Sequence, residues 1–190
     1  NIEKPEDVTN SLSEKVSGIG LFRTEFMYIG RDEAPGEEEQ YEAYVRVLDA
    51  MNGKPVCIRT LDAGADKDVR CLGMKDTKLR GIKLCFERPK IFETQIRALL
   101  RAANHGNLRI MFPMITSKDD VLRAKEIVQN VAKALEKEKI KYYVPKIGEK
   151  TALALACKFG EDVLKQKCTK VTKFDDGLKI LVDAMFETME

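Results

Sequence analysis

The 190-residue chain has a single histidine, no CxxC pair among its five cysteines, no run of like charge longer than Glu37-Glu38-Glu39, and no long apolar stretch. Each shortage excludes something. With 33 lysines and arginines against 31 aspartates and glutamates, there is no one-sided field to hold a nucleic acid or an anionic membrane surface. A bilayer-spanning helix needs about 20 consecutive apolar residues, so no membrane partner is expected. No signal peptide opens the sequence, and a cytoplasmic setting is the expectation. Cys57, Cys71, Cys85, Cys157 and Cys168 are scattered, mostly within apolar segments. That pattern reads as reduced thiols packed as small hydrophobes rather than as a disulfide or zinc framework.

What the sequence does have is an arginine at the end of an apolar run, twice. Gly18–Phe26 reads GIGLFRTEF, and Val56–Asp62 reads VCIRTLD. Each run is short and apolar on both faces, as a buried parallel strand would be, and each arginine falls where its strand opens into a loop. Ligands of α/β sheets bind at those carboxyl ends. Two guanidinium forks converging there, Arg23 and Arg59, suit a small dianion with a phosphate and a carboxylate, because each fork can pair two oxygens.

The remaining elements follow from periodicity and punctuation. Asn1-Ile2 reads as the end of a strand, and Pro5 as the first turn of a helix running to about Lys15. The triplet Glu37-Glu38-Glu39 opens a helix to about Met51, with its negative charge at the favourable end of the dipole. Strand Pro55–Leu61 is expected next, then helices near Leu79–Phe86 and Pro89–Ala103, with a stop at Asn104-His105-Gly106-Asn107. Leu108–Phe112 reads as a further strand closed by Pro113. Ser117 and Asp120 make a capping pair for a helix to about Glu138.

The segments GIGLFRTEFMYIGRD, EEEQYEAY, NGKPVCIRTLDAGADK, RGIKLC, ERPKIFETQIRALLRA and NLRIMFPMI carry a family resemblance. They resemble the phosphoenolpyruvate-binding domain of enzyme I, the phosphoenolpyruvate-protein phosphotransferase of the bacterial sugar phosphotransferase system, from Asn1 to about Lys139. Pyruvate phosphate dikinase shares the arginine strands but is less similar. The resemblance implies a TIM barrel, Mg2+, and phosphoryl transfer from phosphoenolpyruvate to a histidine on a separate domain, with the histidine carrier protein as the next partner. It assigns Arg23, Arg59 and Arg80 to the substrate phosphate, although the loop before Arg80, Asp68–Lys78, is shorter than in the family and lacks its Asn-Pro turn. Asp62, Asp66 and Lys67 match an Asp and an Asp-Lys pair and read as loop-shaping. Met111 and Met114 match the family's pocket floor, and core packing explains them equally well.

A TIM barrel typically takes about 250 residues, so the expected fold is an α/β partial barrel over residues 1–139, followed by a helical C-terminal segment of different origin over 140–190. A short strand at Ile140–Val144, a helix from about Lys146 to Phe159 and an amphipathic helix from about Phe174 are the physical reading there. Val144–Ala152 resembles the helix-hairpin-helix of structure-specific nucleases, with a lysine in place of the usual first glycine. Asp162–Glu190 resembles the first helix of peptide deformylase, whose metal motifs are missing. The family's magnesium-binding glutamate, its asparagine-aspartate pair and its glycine-flanked cysteine are not found. No residue is therefore assigned to catalysis or to metal.

The alternatives stand beside these readings. Arg23 and Arg59 could simply bridge loop acids such as Glu25 and Asp62. His105, in an Asn/Gly-rich helix stop, reads as a solvated C-terminal histidine and not as a phosphoryl acceptor. The whole chain could be a composite or engineered structural protein without catalysis. A half-barrel also leaves strand edges unpaired, which a homodimer or the tail would cover.

Overall fold

The computed structural model describes residues 1–9, 15–64, 68–73 and 79–145. The expected helices beyond 145 lie outside these residues, as do Asp66, Lys67, Cys157 and Cys168. Three parallel strands form one sheet in sequential order: β1 (Ile19–Arg23), β2 (Val56–Arg59) and β3 (Leu108–Met111). Parallel neighbours need crossover connections. Helix α1 (Glu37–Ala50) supplies the first; α2 (Gly81–Glu87) and α3 (Pro89–Ala102) supply the second; α4 (Lys118–Lys137) follows β3. Ile2 makes an isolated parallel bridge to Phe22, which sets the first residues beside β1.

All the helices carry apolar stripes that meet one face of the sheet. Side chains alternate across a strand, and Phe22, Val56, Ile58 and Leu108 are buried together with Tyr44, Val47, Leu48, Ile96 and Leu99 in a single core. Phe22 meets Tyr44 edge-to-face at 6.0 Å. The opposite face is open: Gly20, Arg109 and Met111 are exposed, and Cys57 and Arg59 are half-buried. The expectation of strands buried on both faces is therefore corrected, because among the described residues helices cover only one. Core packing does not account for Met111 and Met114, which are 40% and 51% exposed.

Several boundaries differ from expectation for local reasons. The first strand ends at Arg23 rather than Phe26, and Thr24–Met27 wind into a 3-10 turn. Pro5–Asp7 is a 3-10 turn, closed when the Asp7 carboxylate accepts the Glu3 and Lys4 N–H groups, with extended backbone at Val8; the rest of the helix expected up to Lys15 lies largely outside the described residues, and Lys15 itself is helical. No strand forms over Ile140–Val144. Instead the Tyr143 N–H donates to the Leu100 carbonyl at 3.0 Å, satisfying an acceptor in the last turn of α3 that has no intrahelical donor. Ahead of it, α4 ends in a Schellman motif: Lys139 adopts φ 60°, Ile140 N–H reaches Leu135 C=O, and Lys139 N–H reaches Glu136 C=O. At its other end Ser117 and Asp120 form the predicted capping box.

Candidate functional site

β1 and β2 both end in arginine, and the two are register partners: Arg23 stands beside Arg59 on adjacent parallel strands. Neighbouring strands lie roughly 4.8 Å apart, so two guanidiniums leave the sheet at the end where α/β ligands bind. The 3-10 turn after Arg23 then swings Glu25 back under β2. Glu25, 1% exposed, accepts from Arg59 at 2.7 Å, and Asp62 pairs with the same guanidinium at 3.1 Å. Arg80 reaches Asp62 through Nε at 3.1 Å and a terminal nitrogen at 3.3 Å. Arg23 pairs with the Glu3 carboxylate and lies over the Phe26 ring at 5.1 Å.

Arg80 is placed by a glycine. Gly81 adopts φ +59°, and a Cβ there would sit 2.8 Å from Met114 Cβ, while Ile82 N–H bonds the Pro113 carbonyl at 2.9 Å. The start of α2 is thereby pinned to the loop after β3, and the residue before it lies over the strand ends. Met114, itself at φ 55°, forms the other half of this contact. The structure thus brings Arg23, Arg59 and Arg80 to one end of the sheet; Asp62 links Arg59 to Arg80, and Arg23 pairs with Glu3.

Not every donor is used. Arg23 Nε and Arg59 Nε are buried with no hydrogen-bond acceptor among the described residues. An unpaired buried N–H on a charged group is costly, and at a strand end the natural acceptor is a ligand anion. Loop acids do bridge Arg59, as the alternative reading supposes, but they leave these two donors over.

A match to a family model now bears on the site. Residues 1–149 match the PEP-binding domain of PEP-utilising enzymes. The chain belongs to that family. It is 49% identical over 140 residues to the phosphoenolpyruvate-protein phosphotransferase of Geobacillus stearothermophilus, covering 71% of this chain and 24% of that protein. It is 46% identical over 145 residues to that of Bacillus subtilis (strain 168), covering 74% and 25%, and 45% identical over 143 residues to that of Staphylococcus carnosus (strain TM300), covering 73% and 25%. The chain spans about a quarter of the length of these curated relatives. In this PEP-binding domain the described residues hold no trio of histidine, cysteine or carboxylate side chains that could bind a metal ion. Glu25 and Asp62 already face guanidiniums, so the described residues at the strand ends do not fit Mg2+.

His105 is exposed at the end of α3, between Asp49 (3.3 Å) and the Tyr41 hydroxyl (3.1 Å), remote from the arginines. The described cysteines likewise yield no site: Cys57, Cys71 and Cys85 are free thiols, and burial pushes Cys85 up to about 12. A cleft of about 490 Å³ opens beside Asn107, Arg109 and Tyr143. It lies at the start of β3, the opposite end of the sheet from the arginines, and the directed donors there outweigh its volume as a guide to the ligand. Sequence reasoning missed Glu3, Thr24 and Gln95. Gln95 left a signal: it is a polar residue between Phe92 and Ile96 on the buried stripe of α3.

Proposed function

We propose that this chain is the phosphoenolpyruvate-recognising portion of an enzyme I-type phosphotransferase, and that Arg23, Arg59 and Arg80 hold the substrate phosphate. One observation carries the reading: two register-paired, strand-terminal arginines whose buried Nε–H groups lack acceptors. The guanidiniums themselves stay partly open, at 35% and 18% side-chain exposure, so a phosphate entering at the strand ends meets their terminal nitrogens, and the buried Nε–H groups become available to it as the side chains turn. Glu25 and Asp62 hold Arg59 in place, and Asp62 shares its carboxylate with Arg80. Glu3, 41% exposed, is the one acid a ligand can displace at little cost, since an exposed pair contributes under about 1 kcal/mol.

Recognition is not turnover. Phosphoryl transfer rests on positioning and charge neutralisation, and the arginines here are matched by Glu3, Glu25 and Asp62. Mg2+ is implied by the family resemblance alone, and no described residue is proposed to hold it. The histidine carrier protein is proposed as a partner only of an assembly that supplies an acceptor histidine. Cytoplasmic location and a homodimer across the β3 edge are proposed on the same footing; no helix among the described residues is long and apolar enough to cross a membrane.

A thermal-shift titration of the full chain tests the reading. A millimolar Kd gives about 1.4 kcal/mol of stabilisation at roughly 10 mM phosphoenolpyruvate, so the melting temperature rises with ligand. No shift at that concentration rejects substrate recognition and favours a purely structural chain.

A further inference from the structure

We propose that Gln95 and Thr24 are positioning residues that set the backbone carrying Arg59 and Asp62, and so aim the anion-binding guanidiniums; this rests on the reading of the site given above. The geometry is a relay beneath the strand ends. Gln95, fully buried on α3, accepts the Leu61 N–H at 2.9 Å through its side-chain oxygen. Its amide nitrogen donates to Thr24 Oγ1 at 3.0 Å and to the Tyr44 hydroxyl at 3.2 Å. Thr24 in turn donates its own hydroxyl proton to the Arg59 carbonyl at 2.8 Å. Tyr44 and Tyr28 both donate to the Gln40 side-chain oxygen, and the Gln40 amide ends the series on the Pro35 carbonyl at 2.9 Å.

Only one orientation of each group satisfies this series. The Thr24 proton goes to Arg59, so its lone pair must take the Gln95 N–H; the Tyr44 proton goes to Gln40, so its oxygen takes the other. Gln95 and Thr24 thereby clamp the chain on both sides of Thr60: the Arg59 carbonyl before it and the Leu61 N–H after it. The Thr60 N–H is itself held by the Met111 carbonyl at 2.9 Å. Ladder pairing of β2 ends at Arg59, and the next residues must turn so that Asp62 faces Arg59 and Arg80. A leucine at position 95 would suit the apolar stripe of α3 better, but it would leave the Leu61 N–H and the Thr24 lone pair with no partner, costing about 1–3 kcal/mol per group. Sub-ångström placement of guanidiniums on a phosphate is what such a clamp protects, since misplacement by about 1 Å can cost on the order of a hundredfold.

The test uses the full chain and phosphoenolpyruvate itself. Thr24→Val keeps shape and removes the hydroxyl; Thr24→Ser keeps the hydroxyl. Gln95→Leu removes the clamp, and Leu99→Ala, also fully buried on α3, destabilises without touching a polar group. Calorimetric Kd is measured at a temperature where circular dichroism shows every variant folded, with the melting temperature of each recorded beside it. Gln95→Leu and Thr24→Val are expected to weaken binding roughly tenfold and Thr24→Ser to restore it. Leu99→Ala is expected to lower the melting temperature with Kd unchanged. If Gln95→Leu does not fold, the Thr24→Val and Thr24→Ser pair decides. Binding by Thr24→Val equal to the parent's, or weakening by Leu99→Ala as large as that by Thr24→Val, overturns the inference alone. A parent that does not bind at all overturns the site reading and takes this inference with it.

Discussion

Two of the arginine–carboxylate clusters among the described residues are finished differently. At the far side of α3, Arg97 donates to Glu37 at 2.6 Å and to both oxygens of Glu138 at 3.1 and 2.7 Å. Arg101 donates to Glu37 and Glu38 at 2.7 and 2.8 Å and lies 4.2 Å over the Tyr41 ring. The Glu138 and Glu37 hydrogen bonds hold the Arg97 guanidinium's pKa well above its ordinary value. That cluster joins the ends of α1, α3 and α4. At the strand ends, Arg23 and Arg59 keep buried Nε–H groups without acceptors, although Arg59 is about as buried as Arg97, 18% against 22% side-chain exposure. A network whose donors reach acceptors holds helices; one that stops short, at the end of a parallel sheet, is where the proposed ligand would enter.

Breaking each cluster should separate these roles. The largest effect is expected from Arg59→Ala, which leaves Glu25 and Asp62 buried beside a missing charge and should cost about 3–5 kcal/mol by urea unfolding. Arg59→Lys keeps the charge but loses the fork, and calorimetry should show phosphoenolpyruvate binding weakened at least tenfold. Arg97→Lys should leave that affinity unchanged; equal loss in the two lysine variants would erase the distinction drawn here.

A smaller effect sharpens the comparison from the other side. Glu3→Gln removes the exposed carboxylate that competes for Arg23, so phosphoenolpyruvate should bind a few-fold more tightly, on the order of the strength of an exposed ion pair. Tighter binding from Glu38→Gln instead would point the ligand to the helical cluster.

Asp120 gives a pH signature unconnected to either cluster. Burial would push its carboxyl up, but Lys83 at 2.6 Å and the Thr116 donors outweigh it and hold the pKa at about 2. A folded-state value below the ordinary 3.8 means stability that is fully present above pH 4 and lost as pH falls towards 2. The melting temperature of the parent should fall more steeply across that window than that of Asp120→Asn. Smallest of all, Cys85 should resist iodoacetamide at neutral pH in the folded protein, since burial raises its thiol pKa; rapid labelling detected by mass spectrometry would contradict its burial.

Much of the site was legible from residue order alone. The arginine closing each apolar run was readable, although the strands themselves end there, at Arg23 and Arg59, short of the expected Phe26 and Leu61. The Ser117–Asp120 box and the Gly-rich stop after α3 were equally local. Arg80 was assigned by resemblance, and its approach to Asp62 depends on Gly81 meeting Met114 across the sheet.

By itself, then, the sequence determined the order of the strands and helices from β1 to α4 and the arginine at the end of β1 and of β2, since periodicity and chain punctuation act within a few residues. Only the tertiary structure decided which acid meets which arginine, that Gln95 reaches the backbone beyond β2, that 140–145 runs along α3 instead of pairing with β3, and that two guanidinium donors remain over. The Arg59–Glu25 and Leu61–Gln95 hydrogen bonds each join residues 34 positions apart, and no local pattern encodes a hydrogen bond whose partner is brought up by the packing of a different element.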